Sequence, residues 1–245
     1  MKTEAIVAAA GAGKRLMSRI RKPYREILGK PILIHTLQVL SRCAQVNRII
    51  VAVNRSDEKM CLDLIGKYRI KKIKAVIHGG SKRSGSVFKA LKRLDKDTDI
   101  VLIHDGVRPF ISDVLIRKSI DCAHRFGACI AGVPVKATIK KVQGSPRLRS
   151  GQARFKVQGG MTVERTVDRS DLWEAQTPQV FKKGLLLKAY KNYRSAGATD
   201  DAMLVERLGV KVRIIMGSYL NIKITTPEDL VIGEAILRAK SVKSI

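Results

Sequence analysis

Aromatic residues make up only 4% of this 245-residue chain. That scarcity argues against basic residues interleaved with stacking aromatics, the pattern that holds single-stranded nucleic acid. Long apolar runs are missing too. None approaches the ~18 residues of a membrane-spanning helix. The opening Met-Lys-Thr-Glu leads straight into a strand-like segment, without the charged, apolar and small-residue order of a secretory leader. A cytoplasmic location is expected. Cysteine is sparse: Cys43, Cys61, Cys122 and Cys129 form no CxxC, and no histidine stands at an offset that completes a zinc set. Reduced, partly buried thiols are expected. No Ser-His-Asp spacing, activated cysteine or glycosidase-like carboxylate pair is apparent.

Acid is scarce as well. There are 21 Asp+Glu against 48 Lys+Arg, a formal net charge of +27. Such a field favours anionic partners: nucleic acid, acidic lipid or phosphorylated small molecules. The cations gather in RIRKPYR (19–25), KYRIKKIK (67–74) and KKVQGSPRLRSGQARFK (140–156). A lysine-rich, solvated surface accounts for the same charge without any partner.

What is present is an alternation. Short apolar segments fall at 5–9, 48–53, 73–77, 100–103, 128–133 and 211–216. Helical patterns lie near 31–43, 57–68, 84–94, 113–126, 183–195 and 227–240. This order predicts βαβ units on a mostly parallel sheet, an α/β fold. Helix starts carry their own signals: Pro31, Ser112-Asp113, and the run Thr225-Thr226-Pro227-Glu228-Asp229. Residues 138–170 break the rhythm with glycines, cations and alternating segments, which predicts a projecting β-arm. A disordered basic loop is the other reading of its middle, 143–153.

The first strand ends in AAAGAGKRL. A glycine turn after a strand brings backbone N–H groups close to a phosphate. A dinucleotide fingerprint needs a third glycine where Leu16 stands, and a P-loop needs its first glycine where Ala8 stands. An anion loop of another kind and a plain tight turn both remain open. In a parallel sheet, ligands sit outside the carboxyl ends of the strands. Four such ends carry polar residues: Gly11, Gly13, Lys14, Arg15 and then Lys22; Gly79, Gly80, Ser81, Arg83 and Ser86; Asp105 and Arg108; and Lys223. Cations around one carboxylate suit a polyphosphate with Mg²⁺, because phosphoryl-type transfer needs mainly positioning and charge neutralisation.

Taken in order, AAAGAGKRL, RKPYREILGKPIL, HGGSKRSGSV, IHDGVRPF, VPVKAT, VDRSDLWEAQTPQVF, TDDA and NIKITTPEDL resemble the IspD-type cytidylyltransferases. The match spans Ala8 to Leu230. The resemblance implies a single Rossmann-like nucleotidyltransferase domain over 1–245, with 138–170 as a dimerisation arm. It implies transfer of CMP from CTP to 2-C-methyl-D-erythritol 4-phosphate, Mg²⁺ as the cofactor, and a homodimer with shared sites. By motif position, Ala9, Ala10, Gly11, Gly80, Ser81 and Ser86 hold cytosine and ribose. Arg15, Lys22 and Lys223 grip the triphosphate. Asp105 serves the metal and the acceptor, and Arg108 and Thr177 meet the acceptor. Thr138 and Arg169 complete the neighbour's site.

The sequence also departs from the family pattern. Arg21-Lys22-Pro23-Tyr24 replaces the usual Pro-Lys-Gln-Tyr/Phe, and Pro23 restricts Lys22 towards an extended conformation. Gly106 replaces alanine. Gly217-Ser218-Tyr219-Leu220 stands where an acid is usual, and the arm is longer and more basic. A relative acting on ribitol 5-phosphate is the nearest alternative; the Ala-Ala-Gly-x-Gly loop favours methylerythritol. A nucleic-acid-binding protein on a transferase fold is a further rival, and the retained Lys22, Asp105, Arg108, Arg169 and Lys223 argue against it.

Overall fold

The computed structural model describes residues 1–11, 20–143, 161–193 and 197–242, with residues 240–242 described by backbone only. The chain forms β1 (Thr3–Ala8), β2 (Glu26–Ile27), β3 (Lys30–Pro31), α1 (Ile32–Arg42), β4 (Arg48–Val53), α2 (Glu58–Lys67), β5 (Ile73–His78), α3 (Arg83–Leu91) and β6 (Ile100–Asp105). There follow α4 (Asp113–Phe126), β7 (Ala128–Pro134), β8 (Ile139–Gln143), β9 (Thr162–Val167), β10 (Trp173–Lys182), α5 (Lys183–Tyr193), α6 (Ala202–Glu206), β11 (Arg213–Met216) and α7 (Pro227–Val242).

Seven strands make one sheet in the order β11-β7-β10-β6-β1-β4-β5. All its pairings are parallel except those of β10, which runs antiparallel to both β6 and β7. The sheet is therefore mixed, though mostly parallel as the alternation predicted. The chain winds from β1 outwards to β5, then returns to the other side of β1 for β6. That reversal is the switch point at which open α/β sheets bind ligands. Its register sets Ala8 opposite Asp105, so the glycine loop and the Asp-Gly-Val-Arg turn diverge from neighbouring positions.

Strands β1, β4 and β6 are continuous apolar runs because both faces are covered. Ala5, Val7, Ile49 and Val51 pack with α1 and α4 on one face. Ile6, Ile50, Val101 and Ile103 pack with α3, α5 and α6 on the other. Helix α7 closes a smaller cluster through Ile236, against Ile27, Ile32, Phe110 and Ile224. Pro31 ends β3 with an extended backbone, one residue before α1 rather than as its first helical residue, and the other two helix-start signals operate as read. Ser112 accepts from the Leu115 amide at the start of α4, and Gly127 ends it at φ 93°. At α7, Asp229 reaches back to the amides of Thr225 and Thr226 at 2.6 and 2.8 Å, half of a capping box.

Residues 138–170 contain the expected arm: β8 and β9 pair as an antiparallel hairpin. Its middle, from 144, lies outside the described residues. All four cysteines are free, and three of them are buried. Among the described residues no helix is long and apolar enough to cross a membrane.

Candidate active site

Two small-residue loops meet at the carboxyl edge. Gly79 follows β5 and donates to the Val53 carbonyl. A Cβ there would lie 2.3 Å from the Ala10 Cβ and 2.7 Å from Ser86 Oγ. The next amide, Gly80, donates to Ser86 Oγ at 2.9 Å. Ala10, Gly79, Gly80 and Ser86 thus form one tight cradle, and Ser81 stands exposed beside it. Ala9 is buried, and Gly11 is exposed at the end of the described loop. Gly13, Lys14 and Arg15 lie outside the described residues.

Beside the cradle, Asp105 ends β6 with its side chain 7% exposed. Lys223 Nζ lies 2.7 Å from Oδ2, Arg83 Nε 3.0 Å from Oδ1, and Arg108 Nε 3.6 Å from Oδ2. Burial opposes ionisation, but Arg83, Lys223 and Arg108 outweigh it and hold the carboxyl well below the usual carboxylate range. Arg83 is also paired with the buried Asp201, so the cluster holds two carboxylates among three cations, and the surplus positive charge suits a polyanionic substrate.

Hydrogen bonds build the frame behind Asp105. In β10 the pairing with β7 skips from Ala175 to Gln179, and this irregularity lets Thr177 face β6. The Asp105 amide donates to Thr177 Oγ1 at 3.1 Å. Thr177 Oγ1 lies 2.9 Å from His104 Nδ1, and His104 Nε2 lies 3.0 Å from the Arg108 carbonyl. That carbonyl can only accept, so Nε2 carries the proton and Nδ1 accepts from the threonine. Burial lowers His104 to about 4. Asn221 donates to the Thr177 carbonyl at 2.9 Å, while its own carbonyl accepts from Arg108 at 2.8 Å.

Of the residues singled out by sequence, Asp105, Arg108, Thr177 and Lys223 are therefore joined directly. Lys22 reaches the same loop, since its ammonium donates to the Thr225 carbonyl at 2.8 Å. Its backbone differs from expectation. Lys22 opens a 3-10 turn, Lys22–Tyr24, and the extended residue is Arg21. Pro23 is tolerated because the first amides of a helical turn have no internal partner. Arg21 Nε lies 3.4 Å from Asp57, which tethers the turn to the start of α2. Thr138 and Arg169 do not enter the cluster. Both are exposed at the root of the arm, where Arg169 donates to the Lys136 carbonyl. The segment that lacks the usual acid is occupied differently. Tyr219 donates to the Pro134 carbonyl at 2.7 Å, and Lys136 Nζ sits 3.5 Å from its ring centroid.

Residues 3–239 match the family IspD: 2-C-methyl-D-erythritol 4-phosphate cytidylyltransferase. The chain belongs to the IspD family. A 2-C-methyl-D-erythritol 4-phosphate cytidylyltransferase of Alkaliphilus metalliredigens (strain QYMF) is 44% identical over 243 residues, 98% of this chain and 94% of that one. One from Geobacillus kaustophilus (strain HTA426) is 42% identical over 98% of this chain and 99% of its own. The crystal structure of 4-diphosphocytidyl-2C-methyl-D-erythritol synthase from Anaerococcus prevotii DSM 20548 superposes with a TM-score of 0.80 at 34% identity, covering 97% and 96% of the two chains.

Membership makes the chain a nucleotidyltransferase and implies Mg²⁺-dependent catalysis in general. Among the described residues no group of three or more His, Cys, Asp or Glu could hold a metal. The IspD site offers one ionised oxygen donor, Asp105. That fits Mg²⁺, which is usually held by one or two carboxylates together with substrate phosphates. Sequence reasoning named Arg83 without a role and passed over His104, Gln179, Asp201 and Asn221. Each sits inside a matched IspD run, but nothing in the runs shows that they touch.

Proposed function

We propose that the chain transfers CMP from CTP to 2-C-methyl-D-erythritol 4-phosphate as a cytoplasmic homodimer. The observation that carries this reading is the ionised Asp105 among Arg83, Arg108 and Lys223, next to the small-residue cradle of an IspD-family chain. The cradle of Ala9, Ala10, Gly11, Gly80, Ser81 and Ser86 receives cytosine and ribose. Small side chains let backbone donors and acceptors approach the base edge, and leave no room for a purine.

Lys22, Lys223 and Arg15 neutralise the triphosphate. A phosphate oxygen of the acceptor attacks the α-phosphorus in line. The new P–O bond forms as the bond to the bridging oxygen breaks, and pyrophosphate leaves with its electron pair. No covalent enzyme intermediate is needed. Two anions must meet, so cations fixed in advance lower both their repulsion and the charge developing on the leaving group. Mg²⁺, held by Asp105 and the nucleotide phosphates, would supply further neutralisation of that charge.

Arg108 and Thr177 line the acceptor side. The Thr177 hydroxyl is already engaged by the Asp105 amide and His104, so it acts there chiefly by fixing the backbone that carries the carboxylate. Thr138 and Arg169, exposed at the root of the arm and outside the Asp105 cluster, contribute instead to a partner's site. Pyrophosphate release from CTP, measured with each polyol phosphate, tests the reading. Turnover with methylerythritol phosphate is expected, and turnover with ribitol 5-phosphate alone would overturn it.

A further inference from the structure

The TDDA run, Thr199–Ala202, matches the family, yet the reaction as proposed gives it no task. Asp201 is 1% exposed and stands at the start of α6. Its Oδ2 accepts from Arg83 Nη1 at 2.5 Å. Its Oδ1 accepts from the Tyr190 hydroxyl at 2.5 Å. The backbone of the same turn is pinned by Gln179 of β10. Gln179 Oε1 accepts from the amides of Asp201 and Ala202 at 3.0 and 3.2 Å, and its Nε2 donates to Asp200 at 2.7 Å. From two positions, Thr177 and Gln179, two residues apart, strand β10 therefore grips both the Asp105 amide and the Asp201 turn.

Arg83 closes the ring between them. Its guanidinium is a planar fork of donors. Nη1 meets the deep carboxylate of Asp201, and Nε meets Asp105 Oδ1 at the rim. Burial works against the charge of Arg83, and the two carboxylates more than offset it. A guanidinium held by only one carboxylate can rotate to pair with both of its oxygens. Asp201 is placed to prevent this. With Nη1 tied down, Arg83 presents Nε to one oxygen of Asp105, and Oδ2 is left to Lys223, Arg108 and the reacting groups.

We propose that Asp201 is a positioning residue that, through Arg83, orients the Asp105 carboxylate for the transfer. This rests on the reading that Asp105 serves the reaction. The competing account is a structural ion pair that merely fastens α6 to α3.

The test is a double-mutant cycle of Asp201→Asn and Arg83→Gln, read by kcat, by KM for CTP and for the acceptor, and by melting temperature. Asparagine keeps the shape and can still accept from Tyr190. Asp201→Asn should lower kcat by about 10–100-fold, the usual cost of losing a group that orients a site ligand, with KM for CTP within about 3-fold. In the Arg83→Gln background it should change kcat by less than about 3-fold, because the group through which it acts is gone. There it should also raise the melting temperature by removing an uncompensated buried charge. Asp201→Glu should recover more kcat than Asp201→Asn. Full kcat in Asp201→Asn, or effects on kcat that multiply in the double variant, would overturn the proposal. If Asp201→Asn does not fold, Tyr190→Phe releases the other oxygen of Asp201 and enters the same cycle with the same criteria. Asp105→Asn separates the two readings. Retained turnover there defeats the role of Asp105 itself, whereas lost turnover with a multiplicative cycle defeats only the positioning.

Discussion

Replacing Thr177 with valine tests whether the frame behind Asp105 is built as described. The substitution keeps the branched shape and deletes a hydroxyl on a residue 4% exposed. Two buried groups lose their partner: the Asp105 amide, now 3.1 Å from Oγ1, and His104 Nδ1, at 2.9 Å. An unpaired buried polar group costs about 1–3 kcal/mol. The methyl that replaces the hydroxyl returns about 1 kcal/mol of apolar burial. The net expectation is a loss of about 1–5 kcal/mol, a large share of a domain stability of about 5–15 kcal/mol. Thr177→Ser keeps both hydrogen bonds and forfeits one methyl, about 1 kcal/mol. Urea unfolding of the three proteins reads the difference as a midpoint shift at constant slope. Turnover should follow the same order, because Asp105 moves when its amide is released. A Thr177→Val variant within about 0.5 kcal/mol of wild type, yet without turnover, would refute the reasoning and make the hydroxyl a direct contact to the acceptor.

Three other outcomes follow from the same geometry. His104 is held neutral at about 4 when folded, against an ordinary 6.5, so the unfolded chain binds the extra proton first. Its contribution is complete above pH 6.5 and is lost as pH falls towards 4, by up to about 3 kcal/mol, which thermal unfolding across that window should trace. A Cβ on Gly80 would lie 2.9 Å from the Gly85 carbonyl carbon, which is backbone and cannot swing aside. Gly80→Ala should therefore weaken CTP binding by at least about tenfold in calorimetry, roughly 1.4 kcal/mol, and unchanged affinity would place the nucleotide elsewhere. Finally, Arg169→Ala and Asp105→Ala should each be inactive alone. Mixed after subunit exchange, half the dimers would carry one intact site of two, restoring roughly a quarter of wild-type turnover if the symmetric arm completes the neighbour's site. No rescue despite demonstrated exchange would count against sharing.

The parallel half of the fold was legible because β1, β4 and β6 are buried on both faces and so read as unbroken apolar runs. Strand β10 was not. Its first three residues are exposed, and Pro178 sits within it, which ordinarily argues against a central strand. The structure accommodates the proline in the stretch where pairing with β7 is skipped. Helix α6, five residues long, is too short to show a period. In the site, Asp105, Arg108 and Lys223 could be found because each follows a strand at the same edge. The link from Arg83 to Asp201 could not, because it joins the starts of two helices 118 residues apart. Periodicity says nothing about such contacts. The backbone of Lys22 was misjudged for a related reason: the preference of a residue before proline is weaker than the closed turn formed when the Arg25 amide donates to the Lys22 carbonyl.

Strands β7 and β10 are antiparallel neighbours, with Pro134 opposite Trp173, so the arm is an excursion from the end of a hairpin whose stem lies inside the sheet. Its own paired strands end at Gln143 and Thr162. Chain added between those two residues alters neither stem nor core. Inserted as flexible chain, it would add loop-closure entropy of about 0.6 kcal/mol for each doubling of length. The sheet can therefore carry a longer, more basic arm without losing any of its own strand pairings. The same point would serve for grafting a peptide tag or a second binding module outside the seven-stranded sheet.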